Sequence, residues 1–148
     1  MKLRSQRGTT LVETAVVITL FFTLVFATIE FGCAYNMYHA ITNAARAGAR
    51  YSVAPCSYDP SSCNTVAPGQ MVDEASVENV VKQWLVSANI DPSSPNVVIS
   101  VQQSETVTVN NVKLGYTRVH VEAPYSFFFL PFNPVTLKTD AVMRNENN

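Results

Sequence analysis

Glu13 is the residue whose chemistry most needs an explanation, because it stands at the mouth of a long apolar stretch that begins at Leu11. Ionisable groups are costly inside a bilayer and are functional there by default, with a partner to be named. Gly8 lies five residues before Glu13, and proteolysis after Gly8 would free an amine on Thr9, the nearest candidate cation. Three basic residues, Lys2, Arg4 and Arg7, precede that point. Elsewhere the reactive residues are sparse. His39 and His120 are the two histidines, and neither falls at ligand spacing from the cysteines, so no metal site is expected. No Ser-His-Asp, Cys-His, paired-carboxylate or glycine-rich phosphate arrangement stands out, and we assign no catalytic residue, no cofactor and no enzyme activity.

The element that must position Glu13 is a helix. Between Glu13 and Glu30 lie sixteen uncharged residues, Thr14 to Ile29, rising about 24 Å at helical pitch. Adding Leu11 and Val12 before, and Phe31 to Ala34 after, reaches the roughly 20 apolar residues a membrane-spanning helix requires. Between Arg7 and Arg46 the only formal charges are Glu13 and Glu30, so the positive-inside rule keeps the basic leader in the cytoplasm and exports the C-terminal part. Glu30 is then expected near the outer interface, within reach of water, and Glu13 near the inner boundary, where the helix dipole favours an anion. No proline interrupts Met1 to Ala54, and apolar or small residues continue at Tyr35, Tyr38, Ile41, Ala45 and Ala49. The helix is therefore expected to run on to about Tyr51 and to pack its outer half on the exported domain. Ala44, Ala45, Ala47, Gly48 and Ala49 suit close backbone approach there.

The segment from Arg7 to Tyr51 carries RG, LVE, a phenylalanine-rich apolar run, EFG at Glu30-Phe31-Gly32 and ITNAARAGARY from Ile41. A basic leader, a glycine, four residues, a glutamate and an apolar helix resemble the processing signature of type IV prepilins and pseudopilins. The fuller pattern resembles the TadE/TadG family, minor pseudopilins of tight-adherence (Flp-type) pilus machines. A strand ending Ala141-Val142-Met143-Arg144 is more weakly similar to that family's C-terminal strand. Thr14 stands where related pilins have tyrosine. The resemblance implies cleavage between Gly8 and Thr9 by a prepilin peptidase, and a role for Glu13 in assembly. It also implies partners among other pseudopilins, the pilus assembly machinery and inner-membrane lipid. The localisation implied is a single pass through the inner membrane with a periplasmic C-terminal domain, and incorporation in an extracellular pilus is open. The rival readings are a minor pseudopilin of a type II secretion system and an unprocessed, membrane-anchored periplasmic binding module. A cleaved secretory signal fits less well, because the apolar run is long and lacks a small-x-small site at its end. A lipidated Cys33 is disfavoured by Glu30 at the position where an aliphatic residue is needed.

The 148 residues carry a net charge of −1, and no basic block suggests nucleic acid; no small-molecule substrate is expected either. One small domain follows the helix, giving a leader at 1–8, a helix at 9–51, a cysteine-containing loop at 52–71 and an α+β domain at 72–148. Within the loop, Cys56 and Cys63 enclose six residues, and in an oxidising periplasm the pair is expected to be bridged. Cys33 reads as a small buried hydrophobe, with an intersubunit disulfide as the alternative.

Val77, Val80, Val81, Trp84, Leu85 and Ala88 mark one face of a second helix from about Val72 to Asn89. Alternation at 97–101, 117–123 and 135–143 predicts three antiparallel strands with one buried face. The fold class is thus α+β and pilin-like: a long transmembrane helix continuing into a small domain with a second helix and a three-stranded antiparallel sheet. Residues 104–114 read equally as a hairpin tip or a loop. His120, in register with Arg118 and Glu122, reads as a solvated strand residue. Phe127, Phe128, Phe129 and Phe132 form the last candidate site. They either close the core against the long helix, which we favour, or form an exposed interaction patch toward another pseudopilin or the membrane face.

Overall fold

The computed structural model describes residues 6–53, 72–109, 112–129 and 133–144, with side chains over 8–53, 72–103, 115–129 and 133–144. Two helices and three strands follow one another: α1 (Gln6–Val53), α2 (Glu74–Ser87), β1 (Val98–Val109), β2 (Val112–Tyr125) and β3 (Val135–Arg144). The strands form one antiparallel meander in the order β1-β2-β3, and α1 packs on β2, β3 and α2. The predicted α+β class, with its long first helix and three strands, is the observed one.

Helix α1 is continuous over 48 residues, a rod of about 72 Å. Its first half leaves Leu11, Val12, Val16, Leu20, Phe21 and Leu24 exposed. The polar atoms on this half are handled locally. Thr14, Thr19, Thr23 and Thr28 each donate their hydroxyl at 2.8 Å to the carbonyl four residues back, which lets a threonine stand on an apolar helix without an unmet donor. The second half turns the small residues inward. Ile41, Ala44, Ala45 and Ala49 are fully buried against Val77, Val81 and Leu85 of α2 and Val119, Val121 and Ala123 of β2. At Gly48 the approach leaves no room for a side chain, since an added Cβ would overlap Cγ2 of Val81.

Helix α2 is two residues shorter at each end than its periodicity predicts. Its C-terminus explains why: Asn89 adopts φ 60°, the left-handed conformation asparagine tolerates better than most residues. The amide of Asn89 donates to Val86 O and that of Ile90 to Leu85 O, both at 2.9 Å. This is a Schellman closure, which ends the helix while satisfying its last carbonyls.

The sheet is longer than alternation alone predicts. Strand β1 continues past Val101 through a bulge between Gln102 and Glu105, where its register against β2 shifts by one residue. The extra residue interrupts the period-2 pattern, which is why the sequence leaves the run beyond it open between hairpin and loop. Residues 104–109 and 112–114 are hairpin strands, with Val109 paired to Val112, so the hairpin reading of this region holds. Along β2, Thr117, Val119, Val121, Ala123 and Tyr125 face the core, and Arg118, His120 and Glu122 take the opposite face.

Candidate functional site

The N-terminal candidates lie on the first turns of α1. Gly8, Thr9 and Glu13 are all exposed. Thr9 and Glu13, four residues apart, share a helix face. A Cβ on Gly8 would meet nothing within 4 Å, so the glycine answers no packing demand within the fold. Helix α1 is long and apolar enough to cross a membrane, and among the described residues none of its most apolar window is buried.

The densest polar site lies midway along the same helix. Glu30 is 3% exposed, not the water-reaching interfacial residue that its position in the sequence suggests. Its Oε2 accepts a hydrogen bond from Tyr125 Oη at 2.8 Å. Its Oε1 accepts from the backbone amides of Phe128, at 2.5 Å, and Phe129. The end of β2 supplies one donor and the loop that follows it two, and together they cover the carboxylate and remove Glu30 from water. Tyr125 bears the reciprocal effect: burial, and secondly its bond to Glu30, push its pKa up to about 12. Sequence reasoning missed this clasp because its halves are 95 to 99 residues apart. The available signals were a lone carboxylate in an apolar helix and a tyrosine in the inward register just before an uncharged loop.

The phenylalanine run divides its roles. Phe127 is half-buried and meets Tyr125 edge-on, with ring centroids 5.2 Å apart. Phe129 stacks on Phe26 of α1 at 4.7 Å and 14°. Phe128 is 84% exposed. The Phe128 ring meets that of Phe129 edge-on at 4.8 Å while staying open to the outside, and none of the three rings belongs to the buried cluster of the domain. Phe132 lies outside the described residues, as do Cys56 and Cys63. The Cys33 thiol is unpaired and exposed, so this chain does not bury it. It borders an open groove between α1 and the α2–β1 connection, lined also by Met37, Ile90 and Pro124.

On the outward face of the sheet His120 is held by two carboxylates, with Nδ1 2.8 Å from Asp140 Oδ1 and Nε2 2.9 Å from Glu122 Oε1. Lys138 Nζ donates to the same Glu122 oxygen at 2.8 Å. The bonds to Glu122 and then Asp140 raise the His120 pKa, while Lys138 first and His120 second lower that of Glu122. The outward register was foreseen; the ion-pair network across β2 and β3 was not. Among the described residues no group of three or more His, Cys, Asp or Glu gathers as a metal site.

A long, exposed apolar helix that continues into a domain with a second helix and a three-stranded antiparallel sheet defines an α+β protein with an N-terminal helix capable of spanning a membrane. Residues 8–50 match the model of the family described as TadE-like protein, in agreement with the resemblance read from the sequence. That family is associated with tight-adherence pilus systems as a structural component. Among curated proteins and among solved structures, nothing matches the chain.

Proposed function

We propose that this protein is a minor pseudopilin, processed by a prepilin peptidase between Gly8 and Thr9, that takes part in assembling a Flp-type tight-adherence pilus. One coincidence carries the reading. The family match begins at Gly8 and ends at Arg50, and that same stretch of α1 combines an apolar half left largely exposed among the described residues with a half that forms the core of the domain. An exposed apolar half suits storage in the inner membrane and later packing against the helices of other subunits. In this scheme residues 1–8 are a cytoplasmic leader, 9–51 the anchor and stem, 52–71 a loop and 72–148 the periplasmic domain, from which the chain can pass into an extracellular fibre. The partners are the peptidase, other pseudopilins and the assembly machinery. The protein performs no catalysis; it acts by lateral helix association, with Glu13 pairing to the Thr9 amine of a neighbour.

Intact-mass measurement of the protein extracted from membranes of cells that hold the peptidase tests this. The expected species begins at Thr9. A dominant species beginning at Met1 would overturn the proposal in favour of an unprocessed anchored module. Cys56 and Cys63 are proposed to be bridged in the exported domain, a loop closure contributing at most roughly 2.5 kcal/mol. Alkylation before and after reduction reports on it, and two freely alkylated thiols in exported material would rule the bridge out.

A further inference from the structure

We propose that the loop Phe127–Phe129 is seated in the outer leaflet of the bilayer that α1 crosses, with the Phe128 ring in contact with lipid; this rests on the reading of α1 as a membrane span. Depth is the first argument. A hydrocarbon core of about 30 Å takes up roughly 20 helical residues. With Glu13 at the inner boundary, Phe26 lies about 20 Å along the helix, still some 10 Å short of the outer boundary. Moving the inner boundary back to Thr9 leaves Phe26 about 4 Å inside it, and any tilt of the helix takes the residue deeper. The Phe129 ring stacks on Phe26, and the Phe128 and Phe129 amides reach Glu30 one turn further out. The loop therefore shares the depth of the last turns of the span.

The polar chemistry of the loop fits that depth. Backbone that is neither helix nor closed barrel survives in hydrocarbon only where its polar groups are satisfied by protein. Here the Phe128 and Phe129 amides are both given to one carboxylate. Glu30, which would be costly against lipid, is in turn covered by the loop that it satisfies. Tyr125 to Phe129 carries no charge, and the first charged pair of the sheet, Glu122 opposite Lys138, stands three residues back along β2 from Tyr125, about 10 Å away. Phe128, Phe129, Ile29 and Phe31 are exposed apolar residues around this junction, and their surface continues the lipid-facing surface of α1. A contiguous exposed apolar surface of this kind, with Phe128 84% exposed, marks a contact site, and its continuity with α1 makes that contact lipid.

The test uses the full chain with its one tryptophan, Trp84, replaced by phenylalanine and Phe128→Trp introduced. The protein is reconstituted into phosphatidylcholine vesicles brominated either near the glycerol end or near the methyl end of the acyl chains. A parallel Leu20→Trp variant reports on the span itself. Phe128 is exposed, so an indole fits there without disturbing the amides that hold Glu30. We expect the indole at position 128 to lose most of its emission to glycerol-end bromines, little to methyl-end bromines and almost none to acrylamide. The indole at position 20 should be quenched chiefly by the methyl-end lipid. If position 20 is quenched while position 128 yields to acrylamide, the loop is in water and the inference fails. If position 128 is shielded from both quenchers, a second protein surface covers it and the inference likewise fails. Absence of lipid quenching at position 20 would remove the membrane span and this inference with it.

Discussion

Tyr125 and Glu30, 95 residues apart in the chain, are joined by a buried hydrogen bond of 2.8 Å that ties the end of the central strand to the middle of the long helix. The amides of Phe128 and Phe129 complete the shell around the carboxylate. Removing the acceptor should strand three buried or half-buried donors. Glu30→Ala is expected to destabilise the domain by about 2–4 kcal/mol, and Tyr125→Phe by about 1–2 kcal/mol. Glu30→Gln, which keeps one acceptor oxygen, should fall between Glu30→Ala and wild type. Denaturant unfolding in detergent, followed by Trp84 fluorescence, gives these differences, and equal midpoints for Glu30→Ala and wild type would show that the clasp contributes nothing to stability.

Gly48 faces α2 and β2 together, since a Cβ there would meet side chains of Val77, Val81 and Val119. Alanine is the better helix former by about 1 kcal/mol, so helix propensity alone predicts that Gly48→Ala stabilises. The new methyl would overlap Val81 Cγ2, in a fully buried, β-branched side chain with little rotameric freedom. Overpacking of this kind costs about 1–3 kcal/mol, and we expect it to win, with a net loss of up to about 2 kcal/mol once the gain in helix propensity is subtracted. A raised melting temperature for Gly48→Ala would reverse that ranking.

The network around His120 makes part of the stability depend on pH. Its folded pKa lies above the ordinary value of 6.5, so the protonated ring is favoured by folding. That contribution is fully present below 6.5 and is lost as pH rises through the folded pKa. The groups facing the ring are Glu122 and Asp140, with Lys138 bonded to Glu122. An NMR titration of His120 should give a midpoint above 6.5, and His120→Gln should flatten the stability profile across that window. A midpoint below 6.5 would mean that the two carboxylates do not hold the proton in solution.

Glu13→Gln separates assembly from processing. If the carboxylate pairs with the Thr9 amine of a neighbouring subunit, the variant should still reach the membrane and lose its leader, yet fail to co-purify with pili or other pseudopilins. Normal piliation with normal co-purification would leave Glu13 paired within its own helix or merely interfacial.

The parts of this fold that could be read in advance are those written in local periodicity. The i, i+3, i+4 spacing from Val77 to Leu85 marked α2, and alternation along Thr117 to Ala123 marked the face of β2 that is buried. Where a local rule is broken by one residue the reading stopped, as at the Gln102–Glu105 bulge. Glu30 was misread for a different reason. Its environment is built by residues almost a hundred positions away, and no spacing rule connects a helix carboxylate to the amides of a distant loop. Likewise, composition could show that the Phe127–Phe129 run was apolar, but only its geometry separates a ring stacked on Phe26 from one left exposed.

Because α1 runs unbroken from Gln6 to Val53, it behaves as an axle keyed to the domain at one end. The clasp at Glu30 and the packing at Ile41 to Ala49 lock the domain's azimuth about that axle, so the compass bearing of Glu13 is determined by contacts made far beyond it. Each residue inserted or deleted between Glu13 and Phe26 would swing that bearing by about 100° and shift it axially by about 1.5 Å. Changes of about seven or eleven residues, two or three turns, would return the carboxylate to within about 20° of its original heading.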